Sequence, residues 1–294
     1  MLGRFLLVAV VAGWFLVPPV MSADAMFDSN GVKIHYLTAG QGEPIVLLHG
    51  WMSDSSMWGS LDTNPMAKEF QLIAMDFRGH GKSDKPHQPE QYGPDMAEDV
   101  VRLLDYLKLP KAHLVGYSMG AIVAGKVAGT HPDRVISIVY GGQAPILTGA
   151  AKRDAREIDV FAKAVEAGNG LGPYLEDVWP ANKPKITPKQ ADALAKLLYR
   201  GKDVVAFAAA GRGIKHLDVT PDQLKRCKVP TLLIHGSQEA ESTQKRVAAI
   251  LKFLDRGELH VIDGTDHVTT LAAPEFGKTI DRFLRANQQK PADR

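Results

Sequence analysis

Apolar residues along the chain fall into short unbroken runs separated by helical stripes. The runs are Pro44 to Leu48, Phe70 to Met75, Ala112 to Tyr117, Val135 to Tyr140 and Thr231 to Gly236. Runs this short and this continuous predict strands covered on both faces, as in a parallel sheet between two layers of helix. Gly31 to Leu37 instead alternates polar and apolar residues and predicts a half-buried antiparallel strand; Glu258 to Ile262 predicts a last strand. Met96, Val100, Leu103, Leu104 and Leu107 recur at helical spacing, which predicts a helix over 94–107 packed on the sheet. Strand and helix alternate along most of the chain, so the expected class is α/β, a mostly parallel sheet with helices on both faces.

Two segments break the alternation. Between about Pro145 and Gly211 no buried strand appears. Charged helical patterns at Ala151 to Ala167 and Pro188 to Arg200 are separated by Gly- and Pro-rich turns, which predicts a helical insertion lying over the sheet. The first 25 residues run from Arg4 through the apolar stretch Phe5 to Val17, then Pro18-Pro19, then Ser22-Ala23-Asp24-Ala25. That order is the pattern of a secretory signal peptide cut after Ala25, and the apolar run is too short to serve as a membrane span. The expected organisation is therefore a signal peptide at 1–25, a core at 26–144, a helical cap at 145–211 and the rest of the core at 212–294. The mature protein is expected to be exported, periplasmic or secreted, with no stable membrane span.

At 294 residues and 45% hydrophobic content the chain can bury one large core. Its net charge of +2 comes from interspersed charges of both signs, which gives no footprint for nucleic acid. A single cysteine, Cys227, excludes an internal disulfide, and its place before an apolar strand predicts a buried bystander. Gly81-Lys82-Ser83 imitates the end of a phosphate-binding loop. Asp76 stands where the first glycine of that motif belongs, and no strand–loop–helix context follows, so nucleotide binding is set aside.

The chemistry gathers at the carboxyl ends of the strands, where ligands bind in open α/β sheets. His49-Gly50-Trp51, Ser118, Gly236 to Glu239 and the loop after Ile262 all lie there. In Gly116-Tyr117-Ser118-Met119-Gly120 a buried strand turns directly into a helix, which predicts a positive φ at Ser118 and lifts its hydroxyl above the helix N-terminus. A serine hydroxyl needs a base in reach. His267, on the loop after the last strand, is the candidate, with His80 as its rival; the other histidines lie in strands or in segments without a partner signal.

Taken in order, His49-Gly50-Trp51, the segment Asp76 to Asp84, Gly116 to Gly120 and Asp266-His267 resemble the α/β-hydrolase superfamily over nearly the whole mature chain. The resemblance implies an eight-stranded sheet, a helical cap inserted after the sixth strand and a triad in the order serine, acid, histidine. It carries over Ser118 and His267, and it makes the backbone N–H groups of Trp51 and Met119 the oxyanion hole. The acid departs from the family pattern. Where an aspartate usually stands three residues after the glycine ending the seventh strand, this chain has Glu239, with Glu241, Asp263 and Asp266 as alternatives. Serine at the elbow argues against the haloalkane dehalogenases and epoxide hydrolases, which use aspartate there.

The function this implies is a serine hydrolase acting on a carboxylic ester, lactone or thioester with a small or medium acyl group, with no metal or organic cofactor. Met52, Trp58 and Tyr117 are the candidates to line its substrate pocket. A carbon–carbon bond hydrolase and a cofactor-free haloperoxidase or perhydrolase would use the same triad. A non-catalytic ligand-binding protein on the same scaffold is the alternative from another class.

Overall fold

A computed structural model describes residues 23–149, 156–168, 170–177, 179 and 184–289. Eight strands form one sheet: β1 (Ala23–Ser29), β2 (Val32–Ala39), β3 (Glu43–Leu48), β4 (Phe70–Met75), β5 (Ala112–Tyr117), β6 (Val135–Gly141), β7 (Thr231–Gly236) and β8 (Gly257–Ile262). Their spatial order is β1-β2-β4-β3-β5-β6-β7-β8. The hairpin β1–β2 and the pair β2–β4 are antiparallel, and every pairing from β4 to β8 is parallel. β5, β6 and β7 are buried along their whole length, as their unbroken apolar runs require, whereas the edge strand β8 keeps several residues exposed.

Helices α1 (Pro94–Tyr106) and α2 (Met119–Thr130) cover one face. There Met96, Val100 and Leu104 meet Val123, Val127 and the inner side chains of β3 and β4. On the other face Phe276, Ile280 and Phe283 of the C-terminal helix pack on Leu47, Val115 and Ile234. At about 2 kcal/mol for each fully buried large apolar side chain, these layers make the carboxyl edge of the sheet a rigid platform.

The insertion over that edge consists of α3 (Arg156–Ala167), α4 (Gly172–Asp177), α5 (Pro188–Leu198) and α6 (Val204–Ile214). It has a core of its own, in which Phe161, Leu171, Tyr174 and Phe207 are buried. Its neck is a parallel bridge between Leu147 and Val219, so α6 runs on past residue 211 before the chain rejoins the sheet. After it come α7 (Pro221–Arg226), α8 (Glu241–Leu251), α9 (Thr269–Ala272) and α10 (Pro274–Ala286). Both α5 and α7 open on a capping box, Thr187 with Gln190 and Thr220 with Gln223, each followed by proline at the first helical turn.

The expected leader lies mostly outside the described residues, which begin at Ala23. Ala23, Asp24 and Ala25 are paired in β1 with Thr38, Leu37 and Tyr36. Asp24 also lies 2.8 Å from His35 and 2.5 Å from Lys82. No helix among the described residues is long and apolar enough to cross a membrane.

Candidate active site

Ser118 occupies the corner between β5 and α2 with φ 54° and ψ −117°, the strained positive-φ conformation that its setting predicts. Close packing around the corner leaves no space for side chains on either side. A Cβ on Gly116 would lie 2.3 Å from the Gly120 carbonyl oxygen, and one on Gly120 would lie 2.0 Å from the Leu48 carbonyl oxygen. The Ser118 N–H donates to Gly141 O at 2.8 Å, which fastens the corner to β6.

The loop after β3 is held beside this corner by a buried imidazole. His49 places Nδ1 2.7 Å from Gly50 O, and its Nε2 accepts the Phe77 N–H at 3.1 Å. Gly50 consequently sits against Ser118, where a Cβ would be 3.4 Å from the serine Cβ. Trp51 follows Gly50 directly, and Met119, the residue after Ser118, is the first of α2. The first N–H groups of a helix have no partner within it, and the dipole there favours a negative oxygen. The Trp51 indole donates to Phe207 O in α6 at 2.9 Å, tying this loop to the cap.

His267 Nε2 lies 3.0 Å from Ser118 Oγ, and its Nδ1 lies 2.8 Å from Glu239 Oε2. Glu239 is 6% exposed and its other oxygen accepts the Ala240 N–H at 3.0 Å, so the carboxylate is fixed and nearly dry. This geometry allows the imidazole to take the serine proton while the carboxylate holds its tautomer. Burial pulls the His267 pKa down, but the hydrogen bond and charge of Glu239 push it up, with help from Glu157 and Asp266. The balance lies above the ordinary value of 6.5.

The other carboxylates have different partners. Asp266 ties down the turn that leads into α9, its Oδ1 accepting the Val268 and Thr269 N–H groups at 3.0 and 2.8 Å. Asp263 accepts from Ser237 at 2.9 Å, and Glu241 pairs with Lys245 on the surface of α8. His80 does not compete as base: it is fully buried, its Nδ1 donates to Arg78 O at 3.0 Å, and burial together with His49 depresses its pKa to about 3. Asp76 is a fastener. Its oxygens accept the Ser55 and Lys82 N–H groups at 2.6 and 2.8 Å, and these donors overcome burial to hold the carboxyl below the usual carboxylate range. Cys227 is buried, and burial raises its thiol pKa. Among the described residues no group of three His, Cys, Asp or Glu is arranged to hold a metal ion.

The three residues expected to line the pocket separate. Met52 packs in the cap core beside Trp51, and its sulfur accepts the Tyr199 hydroxyl at 3.5 Å. Trp58 joins the cluster on the opposite sheet face, at a cavity of about 260 Å³ shared with Leu47, Leu271 and Phe276, because the turn Ser55–Trp58 carries it there. Tyr117 is 4% exposed and packs edge-on against Phe276. Its hydroxyl donates to the His267 carbonyl at 2.5 Å. Tyr117 therefore positions the histidine loop, a role with no local sequence signal because its partner stands 150 residues away.

Residues 43–165 match the α/β hydrolase fold family. Among characterised relatives, an (E)-2-((N-methylformamido)methylene)succinate hydrolase of Acinetobacter baylyi is 27% identical, over 84% of this chain and 92% of that protein. A 3-oxoadipate enol-lactonase of the same organism is 26% identical, over 91% of this chain and 98% of its own length. Of solved structures, Est816, described as an N-acyl homoserine lactone degrading enzyme, is 28% identical with a TM-score of 0.70, covering 88% of this chain and all of its own. An esterase from Exiguobacterium antarcticum shares the fold at TM-score 0.69 and 23% identity, over 87% of this chain and 97% of that one. The chain has the α/β-hydrolase fold and is a hydrolase.

Proposed function

We infer that this protein is a serine hydrolase that cleaves a carboxylic ester, lactone or thioester through an acyl-enzyme on Ser118. The observation that carries this reading is the relay of 3.0 and 2.8 Å from Ser118 through His267 to Glu239. Ser118 Oγ attacks the substrate carbonyl carbon while its proton passes to His267 Nε2, and the carbonyl oxygen becomes an oxyanion facing the Trp51 and Met119 N–H groups. On collapse the bond to the leaving oxygen or sulfur breaks, and that atom takes the proton from His267. Water then repeats the sequence on the acyl-serine: His267 removes its proton, and Ser118 leaves reprotonated as the acid is released.

The relatives named for lactone chemistry, 3-oxoadipate enol-lactonase and Est816, support this reaction class. The order of charge, apolar run, prolines and small residues in 1–25 supports export. The test of mechanism is labelling of the purified protein with a fluorophosphonate. One adduct per chain on the Ser118 peptide is expected. An adduct elsewhere, or full hydrolytic activity in a labelled sample, contradicts the reading.

A further inference from the structure

The cap carries a carboxylate, on the side of α3 that meets the Trp51 loop, that the hydrolytic relay does not use. In α3, Glu157 stands one turn before Phe161, so both lie on the same side of the helix. Phe161 is fully buried and meets Trp51 edge-on at 5.1 Å between ring centres, and Trp51 adjoins Gly50, which sits against Ser118. The neighbouring Ile158 and Trp51 both abut Gly211 of α6. This side of α3 thus faces the loop beside the nucleophile candidate.

Glu157 is exposed, yet its direction is set. Its Oε1 accepts the Tyr174 hydroxyl at 2.8 Å, and Tyr174 is itself buried edge-on against Phe161 at 5.0 Å. Among the described residues Glu157 pairs with no cation. Arg156, its neighbour in sequence, pairs with Asp177, and Arg212 of the adjacent α6 pairs with Glu166. Its charge, like those of Glu239 and Asp266, favours the protonated form of His267.

We propose that Glu157 selects substrates by charge, so that the part of the substrate lying under the cap is cationic or neutral and carboxylate-bearing esters are disfavoured. This rests on the ester-hydrolase reading above and names its substrate class. The carboxylate acts through space and through its fixed direction, without touching the reacting atoms.

The test uses three p-nitrophenyl esters of similar size: 4-(trimethylammonio)butanoate, 5,5-dimethylhexanoate and hydrogen adipate, with the wild type and Glu157→Gln. Glutamine keeps an acceptor for Tyr174, so the cap fold is retained. The wild type is expected to rank them cationic, neutral, anionic by kcat/KM. In Glu157→Gln the ratio of cationic to anionic ester should fall by roughly five- to tenfold, the size set by a partly solvated charge. The wild-type ratio should also shrink as salt is raised, and that of the variant should not. If the ratio is the same in both proteins while the neutral ester turns over, charge selection by Glu157 is overturned and the hydrolase reading stands. If none of the three esters turns over, the hydrolase reading itself fails and this proposal with it.

Discussion

Tyr117 and His267 are joined by a 2.5 Å hydrogen bond from the phenol to the main-chain carbonyl, so the residue preceding Ser118 holds the loop that carries His267. Burial and the Glu239 charge raise the phenol pKa, which keeps it a neutral donor throughout the working pH range. Tyr117→Phe retains the packing on Phe276 and removes this bond alone. It should lower kcat by about tenfold with KM little changed, and cost about 1 kcal/mol in urea unfolding. Loss of binding in place of turnover would return Tyr117 to the substrate pocket.

Glu239→Gln keeps the shape of the relay and removes its charge. A fall in kcat of about 10⁴-fold is expected, by analogy with the effect of neutralising a triad acid. The pH profile gives a second readout. His267 must be neutral to act as base and its native pKa is raised, so the acidic limb of kcat/KM in the wild type should lie above 6.5. In Glu239→Gln that limb should move to lower pH. A raised native pKa also means that protonated His267 adds stability in full below the ordinary value, and that this is lost as pH rises through the native one. Equal pH limbs in the two proteins would contradict the pairing.

Much of this is legible in the sequence, and the exceptions share a cause. The continuous runs of β3, β5 and β7 and the Ser118 corner are local features, and their sequences specify them. Glu239 is singled out by the family resemblance, three residues after Gly236. The place of Trp58 is not local: it depends on the turn Ser55–Trp58, capped by Asp54 and tied to Asp76 by the Ser55 N–H, a contact between residues 21 apart. Tyr117 and Glu157 read as ordinary aromatic and charged positions because their roles depend on partners in other elements. β1 was hidden because its first residues continue the composition of the leader.

The corner at Ser118 should tolerate no side chain at Gly120. A Cβ there would stand 2.0 Å from Leu48 O and 2.8 Å from His49 O, both backbone atoms of the strand end that positions Gly50. Gly120→Ala is therefore expected to cost about 3 kcal/mol and to lower activity as well. Thermal unfolding of the purified variant measures the first and ester turnover the second; an unchanged midpoint would mean that β3 and α2 can separate freely.

Export predicts a shortened chain. Expressed with its own leader in a bacterial host, the protein should appear outside the cytoplasm with Met26 as its first residue, by intact mass. Met26 to Ser29 would then remain paired in β1, and the contacts of Asp24 with His35 and Lys82 would be gone. A full-length mass in the cytoplasm contradicts the leader reading.

The most direct measurement is stopped-flow release of p-nitrophenolate from a short-chain p-nitrophenyl ester, with wild type beside Ser118→Ala. The acyl-enzyme account predicts a burst approaching one equivalent per chain at saturating ester, then slower steady turnover, with both lost in Ser118→Ala. Steady turnover that survives in Ser118→Ala at the wild-type rate would place the chemistry on another group and contradict the account.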